Sequence, residues 1–274
     1  VKSSHSLQMV VVRVGTLNVR GLINGLQFVQ KLLGMVDVLF LQETWLTPVN
    51  MVDFACISDE FLCFSLSGMA KDWSLGLHVG RPKGGVSVYV KKSFRAHCRL
   101  VDCGSDRIIC IALGSVYFYG VYLPYNYGTV DCQLDYQQCL SNILSVVEQS
   151  PSSQHVICGD FNMDFRIDSV YKRFIADFLQ SINGYAADVH NLPYTCKTYV
   201  SDDQTRASWI DHVFCTFQPG ATSFLCIEDP DNLSDHKPIL FSVDLGCLPV
   251  AAVSQQSEGT SLSFNFDRAS DVCL

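Results

Sequence analysis

The chain has 274 residues, 48% of them apolar and 17% charged, which is enough for a sizeable core and too little charge for a disordered chain. A formal charge of −8 excludes a generic basic nucleic-acid coat, so a nucleic-acid role needs a local basic patch or a metal ion. The 13 cysteines are odd in number with no C-x-x-C pair, which excludes zinc-ribbon spacing and a paired secreted framework.

The opening VKSSHSLQ lacks the charged and apolar regions of a signal peptide, and Val1 in place of Met fits a piece cut from a longer protein. MVVVRVGTLNV (9–19) is β-branched and predicts a strand. LQFVQKLLGMV (26–36) has apolar residues near helical spacing and predicts a helix. VDVLFLQET (36–44) predicts a buried strand that ends on polar residues. Residues 50–82 show no period and read as a long loop or an insertion. GGVSVYVKKS (84–93) alternates Val86, Val88 and Val90 with Ser87 and Tyr89, the pattern of a strand with one face in the core. RIICIAL (107–113) and VYFYGVYLP (116–124) predict two strands joined by a Gly-Ser turn. A helix is expected over 133–149, closed by Pro151, then a strand over HVICGDFN (155–162) and a helix over 169–182. SWIDHVFCT (208–216) and PILFSVDL (238–245) close the series as strands. The Ser-rich stretch 246–274 has no period and is expected to be loose. No window reaches about 18 uninterrupted apolar residues, so no membrane span is expected.

Strands fall on both sides of a few helices, and several strand pairs are hairpins. That order predicts an α/β domain over 9–245, with antiparallel or mixed sheets stacked face to face and helices outside. Most cysteines sit in apolar runs (Cys110, Cys158, Cys215, Cys226), as small hydrophobes do. A reducing, intracellular setting is the expectation, nuclear or cytoplasmic.

Several strands end on a residue odd for its setting. Asn18 follows the first, and Glu43 the second. Tyr122 ends a third, with Pro124 and Asn126 after it. In ICGDFNMDF (157–165) an apolar strand meets Gly159, Asp160 and Asn162. A turn explains those three residues, and so does a catalytic edge. Asp211 lies inside the apolar run SWIDHVF, where a buried acid needs a partner, and Asp235 and His236 precede the last strand. In stacked α/β folds, ligands gather where strand ends and loops converge. His212 is expected to point to the face opposite Asp211. His5, His78, His97, His155 and His190 carry no motif and are expected to be structural or solvated.

The ordered set LNVRG, LQET, YLPYN, GDFN, SWIDH and SDHKP resembles the endonuclease/exonuclease/phosphatase superfamily. The resemblance implies a four-layer α/β/β/α sandwich of two mixed sheets flanked by helices, and a metal-dependent phosphodiesterase using Mg²⁺ or Mn²⁺. It implies Glu43 as principal metal ligand, with Asn18 beside it and Asp235 next to the metal. Asp160 would position or deprotonate the attacking water, and Asn162 would hold the phosphate. Tyr122 would hydrogen-bond the phosphate or leaving group, and His236, oriented by Asp211, would face the phosphoryl oxygen. The chemistry asks for such a set independently: a cation to neutralise charge at the phosphate, a carboxylate to take a proton, and an oriented imidazole.

TYVSDDQTRASWIDHVF (198–214) and SDHKPI (234–239) are similar to the endonuclease domain of non-LTR (LINE-type) retrotransposons. That likeness implies site contacts from Thr198, Ser208 and Ser234, and adds Asn126 to the substrate side. Arg20 stands where apurinic endonucleases carry an Asp, and it is offered to a DNA phosphate instead. The implied function is nicking of double-stranded DNA to leave a 3′-hydroxyl for a reverse transcriptase domain in a longer parent protein. Basic groups for tracking phosphates lie at 91–99 (Lys91, Lys92, Arg95, Arg99) and 80–83 (Arg81, Lys83). A phosphatase or lipid phosphodiesterase on the same fold, and a non-catalytic domesticated DNA-binding copy, stand as alternatives.

Overall fold

The structure, a computed structural model, describes residues 7–76, 80–219 and 223–249. In chain order the elements are β1 (Leu7–Asn18), α1 (Leu22–Leu33), β2 (Val38–Gln42), α2 (Met51–Phe54), β3 (Phe61–Leu66), α3 (Ala70–Ser74) and β4 (Val86–Lys91). A 3₁₀ turn over Lys92–His97 leads to β5 (Cys98–Val101), β6 (Ile108–Leu113), β7 (Val116–Tyr122), α4 (Val130–Gln149), β8 (Gln154–Asp160) and α5 (Val170–Ser181). Short pieces follow: β9 (Tyr185–Ala186), α6 (Ala187–Asn191), β10 (Tyr199–Val200), β11 (Ala207–Ser208), β12 (Asp211–Cys215) and β13 (Leu225–Cys226), before the long β14 (Ile239–Pro249).

Two six-stranded sheets form, ordered β13-β14-β1-β2-β4-β3 and β5-β6-β7-β8-β12-β9. Each is mixed: β1–β2 and β7–β8 are parallel, and the other pairs are antiparallel. The strands alternate as a buried strand must. Ile109 and Ile111 face the other sheet, against Val88 and Phe40, while Ile108 and Cys110 face the helices. The central layer also buries Val12, Val14, Phe118, Cys158 and Val213. Tyr171, Ile175 and Phe178 form one face of α5 at helical spacing, and they cover the second sheet together with Tyr136 and Ile143 of α4. On the first sheet Phe28, Val29 and Leu32 of α1 do the same. The result is the expected α/β/β/α order. Capping fixes where the outer helices begin, with Thr129 accepting from Cys132 N and Ser169 from Lys172 N.

Some boundaries differ from the sequence reading. The helix expected over 26–36 starts at Leu22, directly after Gly21, and stops before Gly34. The region expected to be loop or insertion, 50–82, contributes β3 and two short helices. β3 is an edge strand with Phe61 as its one buried residue, so it lacks a two-faced pattern. The strand expected over 238–245 runs on to Pro249, because Leu7–Met9 pair with it. The rest of the expected tail lies outside the described residues, as do His5 and His78.

Register places the polar strand ends along one edge. Asn18 pairs with Gln42, Gln42 with Val86, and Thr16 with Ile239. In the second sheet Tyr122, Asp160 and Asp211 stand in one row. Gly159 makes this row possible. Its φ is +139°, and a Cβ there would stand 2.1 Å from Val121 O, so a side chain would push β8 off β7 one residue before Asp160.

Candidate active site

At the edge of the stacked sheets one amide bridges the two. Asn18 Nδ2 donates to Glu43 Oε1 at 3.0 Å and to Asp160 Oδ2 at 2.9 Å, which ties the end of the first sheet to the end of the second. Asn18 Oδ1 accepts from Arg20 N at 3.2 Å, so its orientation is fixed. Asp160 is 1% exposed, and its other oxygen accepts from Asn162 N at 2.9 Å. Burial and the charge of Asp211 push its carboxyl up to about 7, against the pull of His236.

Across the row, Asp211 Oδ2 accepts from His236 Nδ1 at 2.8 Å, and both groups are buried. Burial works against the His236 charge, but Asp211 and Asp160 outweigh it and raise the imidazole to about 10. His236 is therefore a cation whose orientation Asp211 sets. Tyr199 steadies it too, by a backbone bridge and an edge-on ring 5.2 Å away. Tyr122 is held protonated by burial first, then by the charges of Glu43 and Asp160, so its O–H remains a donor beside Glu43. Arg107 lies 5.2 Å over the Tyr122 ring.

Positive φ is concentrated at this edge: Arg20 (49°), Glu43 (50°), Trp45 (54°) and Asn162 (48°). Such backbone is costly for residues with a Cβ, and it persists where surrounding bonds over-determine it. Here they do: Gly21 N donates to Glu43 O, Thr44 N to Gly85 O and Trp45 N to Gly84 O.

The residues expected to touch substrate divide into groups. Thr198 is corrected to a buried brace. It is 0% exposed, and its hydroxyl accepts from the backbone N–H of Ile210 and of Asp211, each at 3.0 Å. Ser234 bridges backbone as well, donating to Asn18 O at 2.6 Å and accepting from His236 N at 3.1 Å. Asn162 spends its amide on Leu123 O at 2.9 Å, which steadies the turn that carries Asp160. Asn126 stands apart in an exposed loop, closing a turn by accepting from Gly128 N. Ser208 pairs with Tyr199 in the β10–β11 hairpin beside His236. Arg20 is engaged with Asp202 at 2.9 Å and Asp235 at 3.2 Å, so Asp235 has a guanidinium rather than Glu43 as its partner.

The basic groups separate. Arg81 and Lys83 lie at the site edge, next to Gly84 and Gly85. Residues 91–99 lie at the opposite end, where Lys91 pairs with Asp37 and Arg99 leans on Tyr117. That stretch cannot track phosphates through the cleft. His212 faces the helices, as alternation requires, between Asp188 Oδ2 at 2.8 Å and Met163 O at 2.9 Å. Both neighbours accept, so both ring nitrogens carry hydrogen and the pair is a buried structural brace. The sequence reading missed Trp45, Tyr199 and Arg107. Trp45 follows Glu43 by two residues, a spacing that was the available signal.

Thr198→Val keeps the shape and removes the acceptor of two buried N–H groups. A loss of about 2 kcal/mol in urea unfolding is the expected outcome. Unchanged stability would return Thr198 to the substrate side.

For a cation, Glu43 offers a half-exposed carboxylate with the Asn18 amide beside it. Among the described residues no group of three or more His, Cys, Asp or Glu side chains converges on one point. One carboxylate with adjoining oxygens suits Mg²⁺, which keeps several waters and completes its shell with phosphate oxygens. The residues therefore fit the group.

Stacked mixed sheets thus carry an acid–amide–acid bridge and an Asp-held His together at one edge. The chain matches the Endonuclease/Exonuclease/phosphatase family over residues 15–236, and it belongs to that family. Its fold is similar to that of the 3′ phosphatase NExo from Neisseria bound to product DNA hairpin, with 19% identity and TM-score 0.64 over 85% of this chain and 99% of that one. A 3′-5′ exonuclease (NExo) from Neisseria meningitidis gives 18% and 0.63 over 85% and 99%. An AP endonuclease from Archaeoglobus fulgidus gives 16% and 0.59 over 84% and 98%. No curated protein matches the chain.

Proposed function

We propose that the protein is a divalent-metal-dependent endonuclease that nicks double-stranded DNA and leaves a 3′-hydroxyl, as the endonuclease of a non-LTR retrotransposon does to prime reverse transcription. The observation that carries the chemistry is the Asn18 amide shared by Glu43 and Asp160, with the His236–Asp211 pair alongside. The SWIDH and SDHKP motifs, and Arg20 in place of an acid, support the retrotransposon branch. On this reading the partner is double-stranded DNA, the parent chain carries a reverse transcriptase domain, and the setting is nuclear or cytoplasmic.

Glu43, with Asn18 beside it, would hold Mg²⁺ or Mn²⁺, which when bound supplies positive charge to the phosphate and leaving oxygen. Asp160 accepts the proton of the attacking water. His236, kept protonated by Asp211, donates from Nε2 to a phosphoryl oxygen as its charge grows. Tyr122 contributes a second O–H donor on the Glu43 side. The cleft is acidic and the net charge is −8, so DNA binding should be weak without the cation, and with few Lys or Arg side chains free to meet phosphates its dependence on salt should be shallow.

Supercoiled plasmid in Mg²⁺ should become nicked circle whose ends a polymerase extends. EDTA or Glu43→Ala should remove the activity. An inactive, folded wild-type protein would sink the proposal. A second reading, phosphomonoester hydrolysis, is favoured by the 3′ phosphatase among the similar structures. Release of phosphate from a 3′-phosphorylated oligonucleotide without plasmid nicking would establish that reading instead.

A further inference from the structure

Glu43 has a second fixed partner at the cleft. Its Oε1 accepts from Asn18, and its Oε2 accepts from the indole N–H of Trp45 at 3.1 Å. The indole is held in turn. Arg81 lies 4.7 Å over the ring, and the backbone of Gly21 presses against it, where a Cβ would meet Trp45 Cε3 at 2.6 Å. Trp45 N is pinned to Gly84 O at 2.9 Å, and Leu22 N to Thr44 O at 3.0 Å. Three loops, 19–22, 43–45 and 80–85, thus converge to place one N–H against one carboxylate oxygen.

The chemistry of that N–H is particular. An indole nitrogen donates and never accepts, so it cannot reverse its role or compete for a cation. A carboxylate has about four lone-pair sites, so one bond to each oxygen leaves room for a metal. Trp45 also has few rotatable bonds, and its ring is clamped, so the carboxylate orientation is settled before any cation arrives. Groups of this kind around a metal ligand commonly change affinity by about 10–100-fold when removed.

We propose that Trp45 is the positioning residue of the cation site, holding the Glu43 carboxylate ready for a divalent ion, with Arg81 locking the indole. This rests on the reading of Glu43 as a metal ligand, and it adds to that reading what sets the affinity. It also gives Arg81, at the lip of the site, a part distinct from phosphate contact.

The test is Mn²⁺ binding to the protein alone, read by the loss of the free-ion electron paramagnetic resonance signal, for wild type, Trp45→Phe, Arg81→Met and Glu43→Gln. Trp45→Phe keeps a ring against Gly21 and Arg81 and lacks the donor. It should bind Mn²⁺ about tenfold more weakly or worse. Arg81→Met frees the ring and should weaken binding about two- to fivefold, the worth of a cation–π contact at an accessible site. Glu43→Gln should abolish binding. In cleavage assays the Trp45→Phe defect should shrink at saturating Mg²⁺, a recovery that general misfolding would not allow. Wild-type affinity in both Trp45→Phe and Arg81→Met, with Glu43→Gln inactive in binding, overturns the inference and leaves Glu43 as ligand. Wild-type affinity in Glu43→Gln overturns the ligand reading and this inference with it. Should Trp45→Phe fail to fold, Arg81→Met decides by the same criterion.

Discussion

Asp211→Asn should lower DNA cleavage by about 10³–10⁴-fold while leaving Mn²⁺ binding near wild type. The substitution preserves volume at a residue that is 2% exposed, so the cleft should keep its shape. What it removes is the negative charge 2.8 Å from His236 Nδ1. An amide can hold the ring only by imposing a tautomer, and it cannot stabilise the imidazolium, which is why the equivalent exchange in hydrolytic triads costs about 10⁴. His236 then loses the largest of the influences that lift it to about 10, and its titration should move toward the ordinary histidine range. The ring protons followed by NMR give that value directly. The linkage has a definite sign. A histidine with a raised folded pKa contributes stability that is fully present below about 6.5 and is lost as pH rises toward about 10. Urea midpoints of the wild type should therefore fall across that window, and Asp211→Asn should flatten the slope. Cleavage within tenfold of wild type would mean that His236 needs no charged partner, and its assigned role would fail.

The parts of this site that could be read from sequence share one physical property. Asn18, Asp160 and Asp211 are polar residues at the ends of, or within, otherwise apolar strands, and burying them without partners would be costly. Their chemistry therefore shows against its background. β6 and β7 were legible for the complementary reason, since strands covered on both faces are apolar throughout. β4, expected to have one face in the core, is covered on both: Val86, Val88 and Val90 join the central layer, Tyr89 packs into the α1 layer, and Ser87 is fully buried. β3 and β5 were missed because each is an edge strand with little burial, and β5 exposes Arg99 and Leu100. Trp45, Tyr199 and Arg107 were missed because a single aromatic or cation in or beside a strand is unremarkable until the fold brings its partner near. The Asn18–Asp160 bond joins residues 142 apart in sequence, and no local pattern reports such a distance. Thr198 shows a different limit. Its position followed from resemblance, but its work, holding the Asp211 backbone, is visible only in the hydrogen bonds.

Removal of Asp160 should have an effect as large as loss of Asp211, with a different signature in pH. Asp160→Ala should reduce cleavage by about 10²–10⁴-fold, the usual worth of a positioned base. The wild-type rate should rise with pH as Asp160 ionises, at a pH below its cation-free value of about 7 because the bound cation favours the carboxylate, and fall toward about 10, where His236 loses its proton. Ionisation of Asp160 opposes burial, so its sign in stability is the reverse of a salt-bridged carboxylate. The folded state binds the proton more tightly than the unfolded chain, and stability therefore declines as pH rises from about 4 to about 7. A divalent cation at Glu43 acts against that decline, because positive charge next to the Asn18 bridge favours the ionised carboxylate. Thermal melts at pH 8 should thus gain more from Mg²⁺ than melts at pH 5. In Asp160→Ala the rising limb should disappear and the falling limb near 10 should remain. An unaltered rising limb in that variant would move the base to another group, with Asp160 left to hold Asn18 in place between the two sheets.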